Sequence, residues 1–141
     1  MPNGKSNSVK TSSLNVILPE PLLELTRSHE NRPTVVFRSE YVGDGNPVLG
    51  DQLMLEFLQA LLAYPEPPQA MLFYNCAVHL TMDDSLVLEP LRQLAARGCE
   101  ILVCQTSLQM LLPEATPAVG RPASMLELAD RMRQARMLLW P

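Results

Sequence analysis

Apolar residues along the chain follow two alternating rhythms. Thr34-Val35-Val36-Phe37, set behind Pro33, is β-branched and apolar and predicts a strand. Ala70-Met71-Leu72-Phe73-Tyr74 is an unbroken apolar run, the pattern of a strand covered on both faces. Ile101-Leu102-Val103-Cys104 repeats that pattern after Gly98. Between these runs the spacing changes to that of a helix. From Pro47 to Ala63, Leu49, Leu53, Met54, Phe57, Leu58, Leu61 and Leu62 form one broad stripe, with Gln52, Glu56 and Gln59 on the other side. Leu88, Leu91, Leu94 and Ala95 repeat the spacing before Gly98.

The polar residues at the ends of these segments support the same reading. Asn46-Pro47 has the form of an N-cap followed by a first helical residue, and Pro65, Pro67 and Pro68 stop that helix. Asp84 or Ser85 caps the next helix, which tolerates Pro90 only if its regular part begins near there. Gly98 suits a helix C′ position. A short helix is expected over Thr106–Leu112, stopped by Pro113, and a brief strand over Ala118-Val119-Gly120. Ser124 and Glu127 have the spacing of a capping box, with Met125, Leu128, Ala129 and Met132 inward and Arg131 and Arg133 solvated. Met137-Leu138-Leu139-Trp140 supplies a last strand. Strands alternating with helices predict a three-layer α/β/α sandwich of flavodoxin-like type, with a mostly parallel sheet of about five strands.

The first 32 residues read differently. Residues 1–13 are polar and aperiodic, the composition of a disordered leader. Leu14–Leu25 is apolar but broken by Pro19 and Pro21, which suits an arm laid on the domain or on a neighbouring subunit. The α/β domain is then expected over residues 33–141, a single-domain length that buries a core without disulfides or metals. A formal net charge of −4 argues against direct nucleic-acid binding, which needs a basic face. No apolar run reaches membrane-spanning length and the first residues lack an apolar signal core, so the expected compartment is the cytoplasm, with no membrane contact. Three cysteines without CxxC spacing indicate neither a disulfide framework nor a zinc site. No metal or cofactor is expected.

Candidate chemistry gathers at two strand ends. Cys104 falls where a strand gives way to a helix, on the edge of a parallel sheet where ligands collect. Unpaired N–H groups of Gln105, Thr106 and Ser107 and the helix dipole favour a thiolate there. Cys99 lies at the other end of that strand, about 16 Å away at the usual rise and too far to bridge. Asn75-Cys76-Ala77-Val78-His79 forms a second loop on the same edge, where Cys76 is placed to resolve an oxidised Cys104 and His79 to stabilise a thiolate. Gly43-Asp44-Gly45 is a plain turn, because a dinucleotide fingerprint needs a third glycine and different helix spacing. Asp83 and Asp84 read as cap and turn residues, and His29 as a solvated side chain.

From Pro33 to Pro141 the chain resembles the DsrE/DsrF-like family, most closely the C-terminal domain of YedF-type proteins. The resemblance is carried in order by VVFRSEYVGDG, LGDQLMLEFL, MLFYNCAVHLT, LEPLRQLAARGCEILVCQTSL and AVGRPASM. It implies a parallel α/β domain that assembles into homo- or hetero-oligomers, here a homo-oligomer, trimer or hexamer. It also implies relay of sulfane sulfur as a cysteine persulfide, which makes the chain a sulfur carrier or sulfurtransferase. Cys104 matches the family's sulfur-carrying cysteine, and Asn75 the asparagine before a glycine-rich loop. Ser107 stands where a second cysteine is common, and Cys76 where that loop begins with glycine. YedF proteins also carry an N-terminal TusA-like domain, so a TusA-like protein or a cysteine desulfurase is the expected partner. The alternatives are a non-catalytic oligomeric binding module of the same fold and a thiol redox protein using Cys76 and Cys104.

Overall fold

The structure, a computed structural model, describes residues 32–141 and the backbone of one short antiparallel pair, Val9–Lys10 (β1) with Ile17–Leu18 (β2). The rest of the leader and arm expected before residue 32 lies outside the described residues. The elements that follow are β3 (Thr34–Phe37), α1 (Pro47–Leu62), β4 (Ala70–Phe73), a 3₁₀ segment (Asn75–Thr81) and α2 (Leu88–Ala96). Next come β5 (Glu100–Cys104), α3 (Gln105–Leu111), β6 (Arg121–Ala123), α4 (Met125–Gln134) and β7 (Leu138–Leu139).

Strands β3 to β7 form one five-stranded sheet in the order β6-β5-β4-β3-β7, and every pairing in it is parallel. The α/β architecture expected from the alternating pattern is therefore the one observed. Phe37 pairs with Phe73, and Phe73 with Val103, so the carboxyl ends of the three central strands are level.

Successive strand residues face opposite sides. One side carries Val35, Phe37, Met71, Phe73, Ile101 and Val103, and it packs on Met54 and Leu58 of α1, Leu91 and Leu94 of α2 and Leu108 of α3. The Phe37 and Phe73 rings stack at 4.7 Å, and Phe57 meets Phe37 edge-on at 6.1 Å. The other side carries Val36, Ala70, Leu72, Leu102, Cys104 and Ala123, which pack with Leu128 of α4. The split follows from connection handedness. Steps from β3 through β6 run in one direction and leave their helices on one face, whereas the return to β7 puts α4 on the other.

Local signals account for most boundaries. Asn46 Oδ1 accepts the Leu49 N–H at 3.0 Å and opens α1 as expected. Gly98 follows α2 with φ +103°. Neither Asp84 nor Ser85 caps α2: Val87 is the N-cap residue and has no side-chain cap bond. Ser85 Oγ accepts the Val87 N–H at 3.2 Å just before the helix, and Pro90 sits in the first turn, where its missing N–H costs nothing. Ser124 Oγ accepts the Glu127 N–H at 3.2 Å, but the Glu127 carboxylate turns to Arg121 instead of closing the box.

Three expectations need correction. The strand before α4 is Arg121–Ala123, because Gly120 has φ +80°, outside the strand region, and pairing starts only beyond it. Met125 is exposed, since α4 is rotated to aim Leu128 and Met132 at the sheet. Leu49 also lies outside the core, on the open side of the first turn of α1. Two arginines that no pattern singled out close the amino edge. Arg32 donates to the carbonyls of Pro67, Pro68 and Gly98, and Arg97 to those of Leu62, Tyr64 and Pro65.

Candidate functional site

The level strand ends bring β4 and β5 to one carboxyl edge, and both cysteine-bearing turns lie on it. At the end of β4 the backbone turns at Asn75 with φ +54°, a left-handed conformation that asparagine tolerates better than most residues. The Asn75 N–H donates to Ser107 Oγ at 2.8 Å. This bond ties the β4 turn to the first turn of α3. Two residues that the sequence placed at separate strand ends are thereby joined.

Cys76 is the second residue of the 3₁₀ segment, with its thiol exposed. Its Sγ–H donates to Asn75 Oδ1 at 3.4 Å. Residues three apart in a 3₁₀ segment eclipse one another, which places His79 on the Cys76 face of the segment. His79 Nε2 stands 3.7 Å from Glu40 Oε1, and both side chains are partly exposed. Its anchor is therefore a carboxylate from the loop after β3, a partner that sequence spacing did not indicate.

Cys104 stands at the predicted place, the last residue of β5 and the cap position of α3. Its side chain makes no capping hydrogen bond, and the residue is 1 % exposed among Val36, Ala70, Leu72, Leu102, Ala123 and Leu128. Strand alternation decides this: Val103 faces α1–α3, so Cys104 turns toward α4. The solvent-facing thiol of this edge is Cys76. Both sulfurs are free, and they point into different environments, one to solvent and one to an aliphatic cluster. Gln105 and Thr106 are exposed on the first turn of α3, and Ser107 is the member of that turn joined to the Asn75 loop. Cys99 lies at the opposite edge. Burial pushes its thiol up to about 12, with the positive charge of Arg32 opposing and the carboxylate of Glu100 adding. It is a packing residue.

Beside His79 the edge opens into a cleft of about 940 Å³, bordered by the start of α1, the 3₁₀ segment and the turn before α2. Its floor is apolar, with Met54, Leu55, Leu80 and Val87, and Glu40, Asp51 and Asp84 bring carboxylates to its lining. The periodicity of α1 marked Met54 of this floor but not the cleft, which requires three segments to meet. Among the described residues no group of three or more His, Cys, Asp or Glu side chains is placed to hold a metal ion. No helix among them is long and apolar enough to cross a membrane.

A parallel five-stranded sheet between helices, with its chemistry-bearing loops on the carboxyl edge, defines an α/β domain of the class that binds or reacts at strand ends. Compared with solved structures, it is similar to the ychN protein from E. coli, with a TM-score of 0.56 and 13% identity over 78% of this chain and 98% of that one. It is also similar to MTH1491 from Methanobacterium thermoautotrophicum, with a TM-score of 0.55 and 17% identity over the same shares of the two chains. At these identities the likeness shows the fold, and that fold is the DsrE-like one. No family model and no curated protein sequence matches the chain.

Proposed function

We propose that this chain is a sulfur-relay protein of the DsrE-like fold in which Cys76 is the thiol that accepts and surrenders sulfane sulfur. One observation carries the reading: of the two cysteines on the carboxyl edge, Cys76 faces solvent and Cys104 is packed in aliphatic carbon. A thiolate must reach its donor to react, and exchange depends on access as much as on ionisation. The role that the family resemblance implies for Cys104 moves to the neighbouring strand end. Strands β4 and β5 are neighbours in the sheet, so the two turns leave adjacent strand ends, and Cys76 stands where the resemblance implies the first glycine of a loop.

The step is an exchange with no net oxidation. The Cys76 thiolate attacks the outer sulfur of a donor persulfide, an S–S bond forms on Cys76, and the donor S–S bond breaks. The donor leaves as a thiolate. An acceptor thiolate then attacks the outer sulfur on Cys76 and releases the Cys76 thiolate. Asn75 and His79 are positioning residues in this scheme, Asn75 through its contact with Sγ and His79 through its place on the same face. The donor or acceptor is a TusA-like protein or a cysteine desulfurase, and the working form is a homo-oligomer.

Mass spectrometry of the intact protein after incubation with inorganic polysulfide tests the assignment. Uptake of one sulfur is expected in wild type and in Cys104→Ala, and its loss in Cys76→Ser. Uptake that persists in Cys76→Ser and disappears in Cys104→Ala overturns it.

A further inference from the structure

The cleft beside His79 has a chemistry that the sulfur step leaves unused. Val48, Leu49 and Leu86 form its rim at 79%, 56% and 93% exposure, respectively. Three carboxylates stand on its lining, from Glu40, Asp51 and Asp84, and among the described residues neither lysine nor arginine lines it. Apolar side chains held in solvent around an acidic groove mark a surface that takes an apolar and basic counterpart.

The chain carries such a counterpart elsewhere. Met137 and Trp140 flank the two-residue edge strand β7, and both are about half exposed, at 47% and 48%. The Arg38 guanidinium lies 5.8 Å from the centre of the Trp140 ring, and Arg133 is exposed at the end of α4. From Arg131 to Pro141 the sequence holds three arginines and no acidic residue. Arg131, expected to be solvated, is instead half-buried and paired with Glu100 at 2.6 Å and Asp130 at 3.3 Å. It is therefore Arg133 that carries the charge of this edge together with Arg38. The other apolar stretch in the chain, Leu14–Leu25, carries Glu20 and Glu24 and would meet the carboxylates of the cleft with like charge.

We infer that the acidic cleft of one copy receives the basic β7 edge of a second copy, with Leu86, Val48 and Leu49 packing against Met137 and Trp140. Because the two surfaces differ, the contact is head-to-tail, and each copy offers both halves; such contacts repeat until a ring closes. The charges set the pairing: carboxylates from the cleft face Arg133 and Arg38, and two clefts or two β7 edges repel. This arrangement is independent of which cysteine carries sulfur.

Sedimentation velocity on the full chain tests it with two sets of changes, one on each of the two surfaces. Asp51→Arg with Leu86→Asp spoils the cleft, and Arg133→Glu with Met137→Asp spoils the β7 edge. All four side chains are exposed, and circular dichroism melts check that each variant is folded. Wild type is expected to assemble, and each variant alone to be monomeric or to associate at least roughly ten times more weakly. An equal mixture of the two variants is expected to form a one-to-one dimer, since it holds one intact cleft and one intact edge. A wild type that stays monomeric at every concentration overturns the inference. So does assembly unaffected by either set of changes, or a mixture that remains monomeric. Polysulfide uptake measured on the same variants separates this result from the role of Cys76, since a monomeric variant that still takes up sulfur leaves that role standing.

Discussion

The backbone N–H of Asn75 and the hydroxyl of Ser107 meet at 2.8 Å, joining the turn after β4 to the first turn of α3 across 32 residues of sequence. Ser107 thereby holds the left-handed turn on which Cys76 depends. In Ser107→Ala the N–H loses its partner at an exposed site, where water replaces part of the bond. The expected loss of stability is about 0.5–1.5 kcal/mol in urea unfolding. Cys76 alkylation should change in rate, whereas a role in packing alone would alter only the stability.

Leu128 is fully buried, and its helix covers the sheet face that contains Cys104. Leu128→Ala should cost about 2–5 kcal/mol, the transfer of a leucine side chain plus the cavity it leaves. The cavity adjoins Cys104, so its alkylation by a small iodoacetamide reagent should accelerate in the folded variant. In wild type the same reagent should label Cys76 first. Labelling of Cys104 ahead of Cys76 in wild type would contradict the packing described for that thiol.

Gly120 is held at φ +80°, and a Cβ there would stand 2.5 Å from Ile101 Cγ2 and 2.7 Å from its carbonyl oxygen. Two independent penalties therefore act on Gly120→Ala, the left-handed backbone and the collision with β5. Together they predict a loss of roughly 2–4 kcal/mol in chemical denaturation. Gly45 also has positive φ but opens on free space, so Gly45→Ala should cost less than Gly120→Ala.

Burial holds the Cys99 thiol at about 12, above its ordinary value of 9.0. The neutral form is the one the fold favours, so this stabilisation is complete below pH 9 and is lost as pH rises toward 12. Across that window the loss is on the order of 4 kcal/mol, because each tenfold change in an acid dissociation constant corresponds to about 1.36 kcal/mol. Thermal melts should show stability falling between those limits, and Cys99→Ala should flatten that part of the profile. An unchanged slope in Cys99→Ala would show that other groups govern alkaline unfolding.

Much of the fold could be read in the pattern because local and long-range preferences agree there. Apolar runs at 34–37, 70–73 and 101–104 are strands because only a doubly covered sheet buries every residue of such a run. Asn46, Gly98 and Ser124 marked helix ends because each supplies a bond or a dihedral angle that the backbone needs at that point. Ala118–Gly120 misled because an apolar triplet resembles a strand, whereas the φ of Gly120 is set by its approach to Ile101 on another element. The apolar character of Met125 and Leu49 said nothing about the rotation of their helices.

The candidate site divides in the same way. Sequence order put Cys76 and Cys104 at the carboxyl ends of strands, because in a parallel sheet every strand-to-helix turn leaves by that edge. Which sulfur meets solvent depended on the alternating faces of β5 and on where α4 returns across the sheet. The bond from Asn75 to Ser107, the Glu40 partner of His79 and the acidic cleft all join segments distant along the chain. Periodicity and capping act over a few residues and fixed the elements; contacts between elements depend on how the whole sheet is covered, and those only the tertiary structure decided.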